Sequence, residues 1–225
     1  MPRLARNVFA DVPHHITQRG NRQEDVFFTD EDRERYLIWL DEYCKKWSVE
    51  LMSYCLMSNH IHLVLRPSTE TGLQNVLKPL HMRYAQRINK RYGWQGHLWQ
   101  GRFFSSAMDD AYTWAAIRYV ERNPVVAGIV QQAEDYRWSS AAARCGLVEN
   151  KLLVSNYRLK IGVKPTEWSA WLSQVENPEK ISLLEKHVEK GLPCGGERFI
   201  KKLEKRVGKS LRYKPQGRPF KENKG

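Results

Sequence analysis

The chain has 225 residues, with 37 Lys and Arg against 25 Asp and Glu, a formal charge of +12 and a pI near 9.6. Its 41% apolar and 11% aromatic content excludes a disordered basic tail, since a chain of this length hides roughly 70% of its unfolded surface on folding. A mean hydropathy of −0.63, a longest apolar run of only Val125–Val130 with Gly128 inside it, and an opening Met1-Pro2-Arg3-Leu4-Ala5-Arg6 without an apolar core predict neither a membrane span nor secretion.

Near the N-terminus, His14-His15-Ile16-Thr17-Gln18 predicts a short strand closed by an Arg19-Gly20-Asn21-Arg22 turn. Thr29 followed by Asp30, Glu31 and Asp32 supplies a cap and an acidic first turn. With Tyr36, Leu37, Leu40, Tyr43, Cys44 and Trp47 at helical spacing, a helix is expected over about Asp30–Trp47. Val49–Leu56 and His60–Arg66, separated by Met57-Ser58-Asn59, have hairpin spacing. Gly72–Tyr92 predicts a long basic helix that Pro79 should kink or break. The aromatic, glycine-punctuated stretch Trp94–Phe104 leads into a strand near Arg102–Met108, after which Asp109 or Asp110 caps a helix running to about Asn123 and ended by Pro124. Beyond Trp138-Ser139-Ser140 the pattern loosens, until Ser182–Lys190 and Gly196–Val207 predict two helices joined by Gly191-Leu192-Pro193-Cys194-Gly195. This order of elements predicts an α+β fold, an antiparallel sheet with helices packed on it, plus a helical basic C-terminal extension.

Between Arg198 and Gly225 eleven basic residues stand against two acidic ones, a balance of +9 that leaves +3 for the other 197 residues. Such a segment is either a solvated terminus or an arm that tracks phosphates, and the second reading demands a steep salt dependence. Gln216-Gly217-Arg218-Pro219 carries a flat, extended Gly-Arg-Pro core of the kind that enters an A·T minor groove. Arg19 and Arg22 in the first turn, and Lys78, Arg83, Arg87, Lys90 and Arg91 along the long helix, could grip phosphates or form a solvated face. Trp94, Trp99 and Phe103 could stack bases or fill the core. Four scattered cysteines, Cys44, Cys55, Cys145 and Cys194, make no CxxC pair and fit reduced cytosolic thiols rather than a disulfide frame or zinc ribbon.

His60-Ile61-His62 lies in an apolar run, and the two-residue strand period puts both imidazoles on one face. The pair reads as hydrogen-bonded core histidines or as a divalent metal site whose neutral nitrogens leave positions open for oxygen ligands. Tyr119 and Asn123, four apart, share a helical face. A tyrosine with an unperturbed pKa near ~10 is a poor nucleophile toward most centres, but attack on a phosphodiester beside a bound metal lies within its reach. The amide oxygen of Asn123 could then be a third ligand; equally, Tyr119 could be a core or rim side chain. His14, His15, His81, His97 and His187 lack partners at ligand spacing and are expected to be structural.

In combination, Met57-Ser58-Asn59-His60-Ile61-His62-Leu63-Val64 and Tyr119-Val120-Glu121-Arg122-Asn123-Pro124-Val125-Val126-Ala127-Gly128 resemble the single-tyrosine HUH transposases of small bacterial insertion sequences, and among them the REP-associated tyrosine transposases. The resemblance extends to His15–Arg22, Trp99–Phe103 and Trp138–Ser140, covers about residues 8–145, and takes in less specifically the Gly-Leu-Pro helix pair and Gly217-Arg218-Pro219. It implies an HUH endonuclease fold, ferredoxin- or RRM-like, and a metal-dependent single-stranded DNA endonuclease and strand transferase acting at palindromic hairpin DNA. It further implies that His60 and His62 bind Mg2+ or Mn2+, that Asn123 stands where relatives place a polar third ligand, and that Tyr119 attacks the phosphate to leave a 5′-phosphotyrosine and a free 3′-OH. Attack by that 3′-OH on the link would rejoin DNA without an external energy source. DNA contacts are expected from Arg19, Arg22, Arg83, Arg87, Lys201, Lys202 and Arg218. Residues 1–145 are expected to form the nuclease domain, 146–177 a connecting segment, and 178–225 a helical pair with a basic DNA-binding tail. The expected setting is the bacterial cytoplasm, nucleoid-associated, as a monomer or homodimer without a membrane partner.

Three other readings stay open. A metal-independent phosphoesterase with two HxT/S motifs is hinted at by His15-Ile16-Thr17, but its second motif is replaced by His60-Ile61-His62. A hairpin DNA-binding regulatory protein without transposition activity, or a factor processing structured RNA, could use the same basic surfaces.

Overall fold

Four segments pair into one antiparallel sheet in a computed structural model that describes residues 7–150, 152–153, 164–174 and 177–213. They are β1 (His14–Arg19), β2 (Val49–Leu56), β3 (His60–Pro67) and β4 (Phe104–Ala107), in the order β2-β3-β1-β4. β3 is central and covered on both faces, so Ile61, Leu63, Val64 and Leu65 are all fully buried, which is why it reads as an apolar run rather than an alternation. The β2–β3 hairpin closes through the Met57 N–H bonded to the His60 carbonyl at 2.9 Å.

One irregularity in β2 matters for the site. Leu51 pairs with Leu65 but Ser53 pairs with Val64, so Met52 is an extra residue in the ladder. In a regular strand Ser53 would share a face with Leu51; the bulge turns it to the other face, the one that carries Val64 and His62.

Helices α1 (Asp30–Lys46) and α2 (Gly72–Tyr92) pack on each other and on the sheet, while α3 (Asp110–Val126) lies over the face that carries His62. α1 opens with a reciprocal cap, in which the Asp32 N–H bonds Thr29 Oγ1 and the Thr29 N–H bonds the Asp32 carboxylate. Of the kink or break expected at Pro79, the break does not occur, and α2 is one helix with the proline inside it. Nor does Pro124 end α3. The Asp109 carboxylate caps its start by accepting from the Tyr112 N–H at 3.0 Å, and the helix continues to Val126. A proline so close to a helix end forfeits a single interior bond, and the last turn is closed by the Ala127 N–H on the Asn123 carbonyl.

The stretch after Ser140, which carries no clear pattern in sequence, contains α4 (Ala141–Arg144) and α5 (Pro165–Ser173). They are followed by α6 (Pro178–Lys190) and α7 (Glu197–Val207). The turn between α6 and α7 is stitched to the end of β4: the Cys194 N–H bonds the Ala107 carbonyl at 2.8 Å and the Asp109 N–H bonds the Cys194 carbonyl at 3.0 Å. Leu203 of α7 seals a small second core with Phe9, Ala107 and Leu211. Among the described residues no helix is long and apolar enough to cross a membrane.

Candidate active site

The register of the two central strands assembles the first half of the site. Thr17 stands opposite His62 and Arg19 opposite His60, so His15, Thr17 and Arg19 share a face with both histidines. His60 Nδ1 donates to Asn59 Oδ1 at 2.6 Å, and His62 Nδ1 lies 3.1 Å from His15 Nε2 with the two rings stacked. With both Nδ1 atoms engaged, the Nε2 atoms are the ones left to meet an ion, the arrangement by which outer groups fix a ligand imidazole's tautomer.

Burial pushes His60 down to about 4, helped by the positive charge of Arg19 and opposed by the Asn123 amide oxygen, an acceptor that favours the protonated ring. His62 is held well below its usual value by burial and by the neighbouring His15, His60 and Arg19. Both imidazoles are therefore neutral at pH 7, the form in which they bind metal. Among the described residues no three His, Cys, Asp or Glu side chains gather tightly enough to hold an ion by themselves. A metal here would need an oxygen of another kind, and the Asn123 amide, which acts on the His60 imidazole, is the candidate on α3.

α3 supplies the second half. The Tyr119 ring stands edge-on to His62, with centroids 5.3 Å apart, and to His15 at 5.7 Å. Its hydroxyl donates to Glu185 Oε1 of α6 at 3.2 Å. Between Tyr119 and Asn123 in sequence, Glu121 is fully buried and anchors the helix. Its carboxylate accepts from Ser140 Oγ at 2.6 Å, Trp168 Nε1 at 2.8 Å and, across the bulge in β2, Ser53 Oγ at 3.3 Å.

The structure thus brings His60, His62, Tyr119 and Asn123 together, with exposed Arg19 beside them. Arg22 is exposed in the turn that follows β1, at a left-handed φ of 53°. Arg83 and Arg87 lie elsewhere: on α2 they form ion pairs with Glu42 at 3.1 Å and Glu31 at 2.5 Å of α1. Lys201 and Lys202 are exposed on α7, and Arg218 lies outside the described residues. Trp99 and Phe103 are core residues, whereas Trp94 is exposed and stacked on Tyr92.

One expectation is corrected. His15, read from spacing as partnerless, contacts both His62 and Tyr119. Its partners lie on a neighbouring strand and on α3, distances along the chain that no spacing rule spans. His14, His81 and His187 do have structural roles, bonded respectively to the Val12 carbonyl, the Tyr36 hydroxyl and the Pro193 carbonyl. Glu185 gave no signal at all, being one of several acids on an amphipathic helix.

A family model described as IS200-like transposase matches residues 9–123, just over half of the chain. A solved REP-associated tyrosine transposase bound to a REP hairpin aligns with a TM-score of 0.51 at 15% identity, over 68% of this chain and 98% of that one, a likeness of fold. A Deinococcus radiodurans R1 protein provisionally assigned as a transposase aligns with a TM-score of 0.38 at 17% identity, over 54% of this chain and 97% of that one. No curated protein matches the chain.

Proposed function

Because the chain belongs to the IS200-like transposase family, we propose that it nicks and rejoins single-stranded DNA beside a palindromic hairpin through a covalent 5′-phosphotyrosine at Tyr119. The observation that carries this reading is the placement of the Tyr119 ring against His62, with centroids 5.3 Å apart.

His60 and His62 through Nε2, with the Asn123 amide oxygen, are the residues that would hold Mg2+ or Mn2+. Such an ion, when bound, would neutralise charge on the scissile phosphate and stabilise the pentacovalent transition state. Arg19, the exposed cation on the same face, draws the phosphate into position. The half-buried Tyr119 oxygen attacks in line, the P–O3′ bond breaks, and the strand on the 5′ side leaves with a free 3′-OH while the 3′ side stays on the tyrosine. The reverse attack restores a phosphodiester and frees the tyrosine, so bond energy is conserved through the cycle.

The hairpin carried by the solved neighbour supports hairpin DNA as the substrate. The nucleophile and the metal-binding residues are assigned to residues 1–145 and duplex grip to the basic face of the segment from 178 onward, where Arg198, Lys201, Lys202, Lys205 and Lys209 form no ion pair among the described residues. Incubation with an end-labelled hairpin and Mn2+ should give a covalent protein–DNA band on a denaturing gel. Tyr119→Phe should abolish it, and His60→Ala or His62→Ala should abolish it while retaining most of the hairpin affinity. Equal cleavage by Tyr119→Phe would refute the mechanism, and hairpin binding with no adduct would favour a regulatory binding protein.

A further inference from the structure

We propose that Glu185 is a catalytic residue, taking the phenolic proton of Tyr119 as its oxygen attacks phosphorus and returning it when the DNA is resealed. The inference rests on the phosphotyrosine reading above and adds to it a group from outside the family-matched residues 9–123.

The carboxylate accepts the Tyr119 hydroxyl at 3.2 Å, at the outer edge of proton-transfer distance. A phenol attacks poorly until its proton leaves. The imidazoles beside Tyr119, those of His15 and His62, stand nearly perpendicular to its ring, and His15 Nε2 and His62 Nδ1 face each other. Glu185 is held in place by its own helix. Leu184 and Val188 on either side of it are buried, α6 packs on both α3 and β4, and the Ser106 hydroxyl bonds the Leu192 carbonyl just past the helix end at 2.6 Å. The side chain itself is exposed, so a proton received there exchanges readily with water.

The step balances without a further reactant. The tyrosine O–H bond breaks toward Glu185 as the O–P bond forms; the P–O3′ pair goes to O3′, which takes a proton from solvent and leaves as the 3′-OH. On resealing, the incoming 3′-OH releases its proton to solvent, and protonated Glu185 returns one to the departing phenolate.

Single-turnover adduct formation and hairpin affinity, measured for the full chain and for Glu185→Gln and Glu185→Asp, test the assignment. Gln keeps an oxygen that accepts the hydroxyl but cannot take its proton, so the adduct rate should fall by about 10²-fold or more while hairpin Kd stays within about twofold. Glu185→Asp, with a shorter reach, should recover part of the rate. A wild-type rate for Glu185→Gln would overturn the proposal, leaving the residue only a hydrogen-bond acceptor. Loss of hairpin binding together with rate would overturn it too, since the role would be structural. If the unmodified chain forms no adduct while it binds the hairpin, the phosphotyrosine reading itself fails and Glu185 falls with it.

Discussion

Glu121 is buried in the middle of α3 with hydrogen bonds from Ser53, Ser140 and Trp168, and burial raises its pKa against the opposing pull of those bonds and of Arg144. Removing the carboxylate takes the acceptor from the buried Trp168 indole N–H, leaves the Ser53 and Ser140 hydroxyls only each other and the Tyr54 carbonyl, and opens a void. Glu121→Ala should therefore cost about 2–4 kcal/mol in urea unfolding, and a change below about 0.5 kcal/mol would show that the network does not hold the helix. The histidines make a second residue-level prediction. Burial drives both His14 and His15 down to about 4, against about 6.5 in an unfolded chain. Between those values the unfolded chain binds more protons, so the stability they contribute is complete above pH 6.5 and is lost as pH falls toward 4. At pH 5 the loss is on the order of 2 kcal/mol for each imidazole. Thermal melts in metal-free buffer should show Tm falling steadily from pH 7 to pH 5, and a flat profile over that range would contradict the neutral, buried assignment.

At the scale of elements, the two basic surfaces that look alike in sequence part company. The arginines of α2 are turned toward α1, where Arg83, Arg87 and Arg91 meet Glu42, Glu31 and Asp32. On α7, Arg206 pairs with Glu70, but Lys201, Lys202 and Lys205 form no ion pair among the described residues. The apolar side of that helix packs on Phe9 and Leu211, and these lysines face outward. Replacing Lys201, Lys202 and Lys205 by Gln should therefore weaken hairpin binding and reduce the slope of log K against log salt by about 2–3, near 0.9 for each phosphate no longer neutralised. An unchanged slope would make the α7 face merely solvated. The matching change on α2, Arg83→Gln with Arg87→Gln, should leave the slope nearly unaltered. The capping box of α1 offers a smaller check, with Thr29→Ala expected to cost about 1 kcal/mol in the same unfolding assay.

For the molecule as a whole, what could be read beforehand was whatever is local. The hairpin turn, the Thr29 and Asp109 caps, the face shared by His60 and His62, and the face shared by Tyr119 and Asn123 all follow from periods of two and of 3.6 residues. The bulge at Met52, the Glu121 network and the contact of His15 with His62 depend on which strands become neighbours, and no local period encodes that. The same holds for Glu185, delivered to Tyr119 by the docking of α6 on β4. The formal +12 is likewise a sum over unlike parts: a nearly balanced body that holds the histidines and tyrosine, and a strongly basic C-terminal segment. The central claim is that Tyr119 is the atom-to-atom link to DNA. Its most direct test is mass spectrometry of the adduct after nuclease trimming and trypsin, which cuts after Arg118 and Arg122. A nucleotide joined through its 5′ phosphate to the peptide Tyr119–Arg122 is expected, with a free 3′-OH on the released strand. A nucleotide on any other peptide, or cleavage that leaves a free 5′ phosphate and an unmodified Tyr119, would contradict it.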